Sequence, residues 1–362
     1  MTDKPSRIPS ARWILPAAVL GVPGLLGAAL FWAVGGFSEP EEIKVPIFKG
    51  DWGDPKPAEP SGALSVVTWN IHFGWGARED PVGSLSREQV EKNLDGVAVY
   101  LKTLHPDFVF LQEVDFDSAR TSGVNEMEYL ARALDMRWAA PTVTWKKGYL
   151  PFPYWPPRAQ WGRMLSGQAI LSRFPLTEAA RLRLPKPANN PFWYNWFNID
   201  RSVTVTKARL GFVEIALFNL HLDAYDTPNR SLQAERMFDY YKAGRSPLNL
   251  IAGDFNALPP DASQFKDFPD EPLNDYSNDG TMAVMRVSGL KEAFEGRAES
   301  VTEAELYTFP SWDPNRRLDY IWMNPDWPVI DVKIGRDAGP LSDHFPIIAV
   351  LGWSEGQNRG DR

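Results

Sequence analysis

Apolar runs of strand length recur along this chain, and most of them end in, or adjoin, a side chain that binds cations or moves protons. "ALSVVTWNI", "DFVFLQEV", "GQAILSRF", "VEIALFNLHL", "LNLIAGDF", "LDYIWM" and "FPIIAVL" each have the length and β-branched content of a buried strand. Helical periods separate some of them. From Ser86 to Leu104 a stripe of Val90, Leu94, Val97, Leu101 and Leu104 repeats at helical spacing, and Ser86 with Gln89 forms a capping-box signature. A second helix is predicted from "TPNRSLQAERMFDYYKAG", with Pro228 in the first turn and Gly244 at the stop. The chain is therefore α/β, and it lacks a Gly-rich phosphate loop of either common type.

The polar residues at the strand ends carry the functional signal, because ligands of open α/β sheets gather at the carboxyl ends of strands. Asn70 ends "SVVTWN", Glu113 ends "FVFLQE", and His221 interrupts "LFNLHL". Asp254 and Asn256 end "LIAGDFN", Asp319 opens "DYIWM", and Asp343 with His344 precedes "FPIIAVL". Each has an ordinary alternative: Asn70 as a turn cap, His221 as a satisfied half-buried imidazole, Asp319 as a partner of Arg316 or Arg317, "SDH" as a strand-entry turn. Glu113 and Asp254 are harder to explain away, since a carboxylate at the edge of a core needs a cation or an array of donors. Gathered in one site, the set suits phosphate-ester hydrolysis. Hard oxygen donors from Glu113, Asn70 and the Asp residues, with no Cys and four His, favour Mg²⁺ or Mn²⁺ over Zn²⁺.

Ahead of these runs lies "WILPAAVLGVPGLLGAALFWAV", Trp13 to Val34, an uncharged stretch long enough to span a bilayer. Lys4, Arg7 and Arg12 before it would stay on the cytoplasmic side and place the rest of the chain across the membrane. A cleaved signal peptide, with Ala33 and Gly35 as the small-residue site, is the competing reading, and both export the domain. Residues 1–36 are thus expected to be an anchor or signal, and residues 37–62, rich in Pro and Gly, a linker. A catalytic domain would occupy 63–353, followed by a polar tail at 354–362.

Residues 1–36 carry a net +2 in a chain of formal charge −8, which leaves −10 for the remainder and disfavours a duplex-gripping protein. The absence of Cys excludes disulfides, thiolate metal sites and thiol nucleophiles. Between Trp138 and Phe197 the chain is dense in Trp, Tyr, Phe and Pro, which fits aromatic loops packed over their own core, a substrate wall, or a membrane-facing rim.

In order, "TWN", "LQEVD", "NLHL", "GDFNA", "RLDYI" and "SDHFP" resemble the endonuclease/exonuclease/phosphatase superfamily over roughly Ala63 to Leu351. That superfamily includes deoxyribonuclease I, AP endonucleases, neutral sphingomyelinases and inositol polyphosphate 5-phosphatases. The resemblance implies a four-layer sandwich, two mixed sheets face to face with helices outside, and a Mg²⁺-dependent phosphoester hydrolase. It implies that Asn70 and Glu113 hold the metal with Asp343 near it, and that Asp254 positions or activates the attacking water. Asn256 would donate to the phosphoryl oxygen, His344 oriented by Asp319 would contact the phosphate, and His221 would be a second phosphate-facing imidazole. Arg201 resembles the family's phosphate-binding Arg. AP endonucleases differ in having Tyr at the position of His221 and an acid at that of His72. The expectation is an exported, membrane-tethered hydrolase of a small or lipid-borne phosphoester; an exported nuclease is the alternative, and an inactive binding module a third reading.

Overall fold

The computed structural model describes residues 25–33, 40–52, 59–60, 62–78, 82–244, 246–296 and 301–354. Two seven-stranded mixed sheets and five α-helices, besides a short helix at residues 25–33, organise them. In the first sheet the order is β1 (Glu42–Lys44), β7 (Leu176–Arg183), β8 (Ser202–Leu210), β9 (Val213–His221), β10 (Leu248–Asp254), β14 (Asp319–Met323), β13 (Lys291–Glu292). In the second it is β15 (Val329–Ile334), β16 (Ile347–Gly352), β3 (Ala63–Asn70), β4 (Phe108–Asp115), β6 (Gly162–Ser172), β5 (Trp138–Leu150), β2 (Phe48–Lys49). A separate hairpin pairs β11 (Lys266–Phe268) with β12 (Glu271–Asp275). Each large sheet has one parallel pair near its middle, β9 with β10 and β3 with β4.

Period-two alternation sorts the strand residues into layers. Leu64 and Val66 of β3, Phe108 and Phe110 of β4, Ile215 and Leu217 of β9, and Leu250 and Ala252 of β10 meet in one buried cluster between the sheets. The intervening residues face helices. Val67, Trp69, Val109 and Leu111 pack against α1 (Arg87–Leu104) and α2 (Glu126–Ala133). Phe218, Leu220, Ile251, Tyr320 and Trp322 pack against α4 (Thr227–Ala243) and α5 (Thr281–Arg286). The layers thus run helix, sheet, sheet, helix, an α/β sandwich. Both expected helices are present: α1 begins at an Ser86 capping box, whose loss costs about 1 kcal/mol, and Gly244 closes α4.

Three expectations are revised by the structure. Segment 37–62, read as a linker, contributes β1 and β2, short edge strands that pair with β7 and β5. Two or three residues between Pro and Gly breakers are too short to show a period, so pairing across the sheet, not local pattern, makes them strands. The aromatic stretch from Trp138 is not mainly loop: β5 and β6 form a long antiparallel hairpin, and only α3 (Phe192–Phe197) and short turns interrupt the rest. Finally, no helix among the described residues is long and apolar enough to cross a membrane. Most of the Trp13–Val34 run lies outside the described residues, and residues 25–33 form a short, largely exposed helix.

Candidate active site

The inter-sheet layer changes character along the strands. It is apolar at one end, then becomes polar toward the carboxyl ends of β3, β4, β9 and β10. The transition is a buried amide network. Gln112 Nε2 donates to Asn219 Oδ1 at 2.7 Å and to Thr68 Oγ1 at 3.2 Å. Asn219 Nδ2 donates to the Leu111 and Ala169 carbonyls, and Gln168 Nε2 donates to Ser202 O, Thr204 Oγ1 and Asn219 O. These amides fasten β4, β6, β8 and β9 together where apolar packing ends. Strand alternation does not single out any of the three, although Gln112 and Asn219 stand inside the motifs "LQEVD" and "NLHL".

Above that floor lies Asp254, fully buried at the end of β10. Asn70 Nδ2 donates to its Oδ2 at 3.1 Å, and the Asn256 backbone N–H donates to its Oδ1 at 2.9 Å. His221 Nε2 stands 3.5 Å and His344 Nε2 3.7 Å from the same Oδ2. On the far side of His344, Nδ1 lies 2.8 Å from Asp319 Oδ2. Five of the expected residues, Asn70, His221, Asp254, Asp319 and His344, therefore converge from β3, β9, β10, β14 and the turn before β16.

The others sit at the margin. Ser342 Oγ bridges the Asn70 carbonyl (2.7 Å) and Asp343 Oδ1 (3.1 Å), while Asp343 Oδ2 lies 3.5 Å from His72 Nδ1. Glu113 follows Gln112, the β4 residue paired with Asn70, at a bulge where the β4–β6 register slips. Its φ of 53° is in the left-handed region. Non-Gly residues adopt that conformation at a cost, and a bulge re-aims the side chain off the strand alternation. The half-buried Glu113 carboxylate has no hydrogen bond or ion pair to any described residue. Beneath it, Glu126 Oε2 accepts the Asp115 N–H at 2.8 Å, and Arg120 clamps Asp115 through two bonds of 2.9 and 3.0 Å. Arg201 precedes β8, and its carbonyl accepts the Leu184 N–H at 2.8 Å; its guanidinium makes no hydrogen bond or ion pair among the described residues, and its charge reaches His221.

Asn256 departs from the simple alternation. With φ at 49° it leaves the strand, and its Nδ2 donates to the Leu222 carbonyl at 3.1 Å. One amide hydrogen remains for another acceptor. Asp254 and Asn256 are joined by a local turn hydrogen bond and do not share a strand face. Gly253 precedes them because a Cβ there would stand 2.0 Å from the Leu220 carbonyl of β9, and its φ is +147°.

Electrostatics separate the titrating groups. Burial pushes Asp254 up, Asp319 adds to it, and His344, Asn70 and Asn256 oppose it; the balance is about 7. Burial also works against the His344 imidazolium, but Asp319 and Asp254 outweigh it and hold the ring's pKa up to about 10. Burial first, then Arg201 and His344, drives His221 well below the usual imidazole range. The pocket therefore carries one neutral and one cationic imidazole on either side of a carboxylate that titrates near neutrality.

Two groups of residues have donor chemistry for a cation. Asp254, Asp319 and His344 present ligand atoms within 4.8 Å of one another. His344 is committed to Asp319 and cationic, however, and an imidazolium has no lone pair to give. Asn70, Glu113 and Asp343 fit better: hard oxygen donors, one of them a carboxylate held in a strained conformation with no hydrogen-bond or ion-pair partner among the described residues.

The family model described as "Endonuclease/Exonuclease/phosphatase family" matches residues 67–344. No curated protein sequence matches. Among solved structures, the fold is similar to an endonuclease/exonuclease/phosphatase from Beutenbergia cavernae DSM 12333, at 20% identity and TM-score 0.57 over 81% of this chain and 72% of that one. It is also similar to a humanized D. rerio TDP2 carrying 14 mutations, at 16% identity and TM-score 0.53 over 81% of this chain and all of that one. An endonuclease/exonuclease/phosphatase from Bacteroides vulgatus gives 15% identity and TM-score 0.53 with the same two coverages.

Proposed function

Given that the chain belongs to the Endonuclease/Exonuclease/phosphatase family, we propose that its cleft hydrolyses phosphoester bonds with the help of a divalent cation, Mg²⁺ or Mn²⁺. The observation that carries the proposal is the pair of buried imidazoles, His221 and His344, that stand 3.5 and 3.7 Å from Asp254 Oδ2, beside a Glu113 carboxylate with no partner among the described residues.

Asn70, Glu113 and Asp343 would hold the cation, which supplies charge neutralisation at the phosphoryl and leaving oxygens. The residues of this chain divide the remaining work. Asp254 titrates near neutrality and accepts the proton of the attacking water, whose orientation Asn70 and Asn256 fix through their bonds to the carboxylate. His344, charged and steadied by Asp319, donates toward the phosphoryl oxygen where negative charge grows. His221, neutral, adds a donor without repelling His344, and Arg201 offers a further charge beside it.

As substrate we favour a small or lipid-borne phosphoester met outside the cytoplasm. Support comes from the acidic balance of the chain beyond residue 36 and from the exposed aromatics near the site. Purified protein, stripped with chelator and resupplied with Mg²⁺ or Mn²⁺, should hydrolyse a chromogenic phosphodiester and phospholipids. Rapid nicking of plasmid DNA with lipids untouched would instead make it a nuclease, and no turnover of any of these would make it a binding module.

A further inference from the structure

The hairpin of β5 and β6 is the most unusual surface of the molecule. β6 runs antiparallel to β4, so its amino end and the carboxyl end of β5 point the same way as the site-bearing ends of β3 and β4. The connection from Leu150 to Gly162 thus projects past the edge of the cleft. It carries Phe152, Tyr154 and Trp155 into solvent, the last two 70% and 80% exposed. The short helix at residues 25–33 abuts the same hairpin at Gly148 through Trp32, and it exposes Leu25, Leu26 and Leu30.

Charge sets this segment apart from the rest of the chain. Between Asp135 and Glu178 there is no acidic residue, in a protein of net charge −8. Near the tip, Lys146 and Arg158 are exposed, and their charged side chains make no hydrogen bond or ion pair among the described residues. Exposed aromatics interleaved with unneutralised cations suit the headgroup layer of an anionic bilayer, where ring bodies meet the acyl boundary and cations meet phosphates.

A rigid path joins the tip to the site. Phe152 packs on Trp161 (ring centroids 4.9 Å), Trp161 on Phe73 (5.8 Å), and Phe73 on His72 (4.5 Å), whose Nδ1 lies 3.5 Å from Asp343. The Arg120 guanidinium sits over both Phe73 and Trp161, at 3.4 and 4.5 Å. The tip and the cleft are thus joined by continuous ring contacts.

We propose that the β5–β6 tip is a docking surface for an anionic phospholipid bilayer and that, seated there, it presents the cleft to phosphoesters in the headgroup layer. The surface stands on its own observations, while its consequence for substrate rests on the hydrolase reading above.

The chain has no Cys, so a single introduced thiol takes a fluorophore without competition. The full chain is labelled with an environment-sensitive dye at Trp155→Cys or at Phe212→Cys. Phe212 is 87% exposed, in the turn before β9 and so at the opposite end of the sheet from His221. With phosphatidylglycerol-containing vesicles, the dye at 155 should shift to the blue and be quenched by lipid-borne quenchers, while the dye at 212 keeps its aqueous spectrum. Lys146→Gln with Arg158→Gln, or vesicles of phosphatidylcholine alone, should abolish most of that shift. Circular dichroism and turnover of a soluble phosphodiester verify folding of each variant.

An aqueous spectrum at 155 on anionic vesicles overturns the proposal, and so does a shift produced by duplex DNA or by raised protein concentration but not by lipid. Immersion at 155 in a protein that turns over no phosphoester would leave the surface standing and remove the hydrolase reading.

Discussion

Asp319 and His344, 25 residues apart in the chain, meet with Oδ2 2.8 Å from Nδ1 inside the protein. The bond fixes the ring so that its other nitrogen faces Asp254, and it sustains the positive charge that burial alone would remove. Asp319→Asn keeps the shape and removes the charge. It should lower kcat by about 10²- to 10⁴-fold with a much smaller change in KM, read by steady-state kinetics on a soluble phosphodiester. An unchanged kcat would show that His344 needs no carboxylate.

His221 gives a prediction about stability. Its folded pKa lies well below its unfolded value near 6.5, so the unfolded chain binds more protons between those two values. Its contribution is complete above pH ~6.5 and declines as the pH falls toward the depressed folded value. Melts of wild type and His221→Asn should therefore differ in slope below that point, with the variant losing less stability on acidification. Parallel curves would mean that His221 is not buried as a neutral ring.

The amide floor is predicted to be structural. Asn219→Ala removes the 2.7 Å acceptor of Gln112 Nε2, leaving it the longer bonds to Thr68 Oγ1 and Phe110 O, and takes a donor from each of the Leu111 and Ala169 carbonyls; a buried polar group that loses its partner costs about 1–3 kcal/mol. Urea unfolding should show a loss of about 3 kcal/mol for this variant. A loss within error of zero would mean that the network is not tight.

Glu126 supports the proposed cation site through the backbone, by accepting the Asp115 N–H two residues beyond Glu113, whose charge also reaches it. Burial, reinforced by Asp115, raises its pKa well above the carboxylate range. Glu126→Gln retains an acceptor and should bind Mn²⁺ as wild type does, whereas Glu126→Ala should bind about 10- to 100-fold more weakly by titration calorimetry. Equal affinities would remove Glu126 from the support of the bulge.

Much of this was legible in the sequence because the strand ends that carry the chemistry follow strong period-two runs. Asn70, His221, Asp254 and Asp319 could be placed from alternation and order alone. Glu113 and Asn256 could be named but not aimed, because their side chains are directed by a bulge and a left-handed turn that alternation does not encode. β1 and β2 were hidden for a related reason: a strand of two or three residues exists only through its partner. Gln112, Asn219 and Gln168 read as ordinary strand polars, and only the facing of the two sheets reveals that their amide N–H groups find acceptors across the layer. His72 stands where AP endonucleases have an acid, yet its contact with Asp343 arises from a tight turn with φ of 47° that the sequence does not encode as a period.

The claim on which the rest depends is that Asp254 stands at the centre of a cation-assisted hydrolytic site. The most direct test is turnover of a chromogenic phosphodiester by wild type and by Asp254→Asn, each at saturating Mn²⁺ and after chelation. Wild type should turn over only with the cation, and Asp254→Asn should lose at least about 10²-fold in kcat with its fold and thermal transition intact. Undiminished hydrolysis by a folded Asp254→Asn, or turnover by wild type indifferent to chelation, would contradict the account.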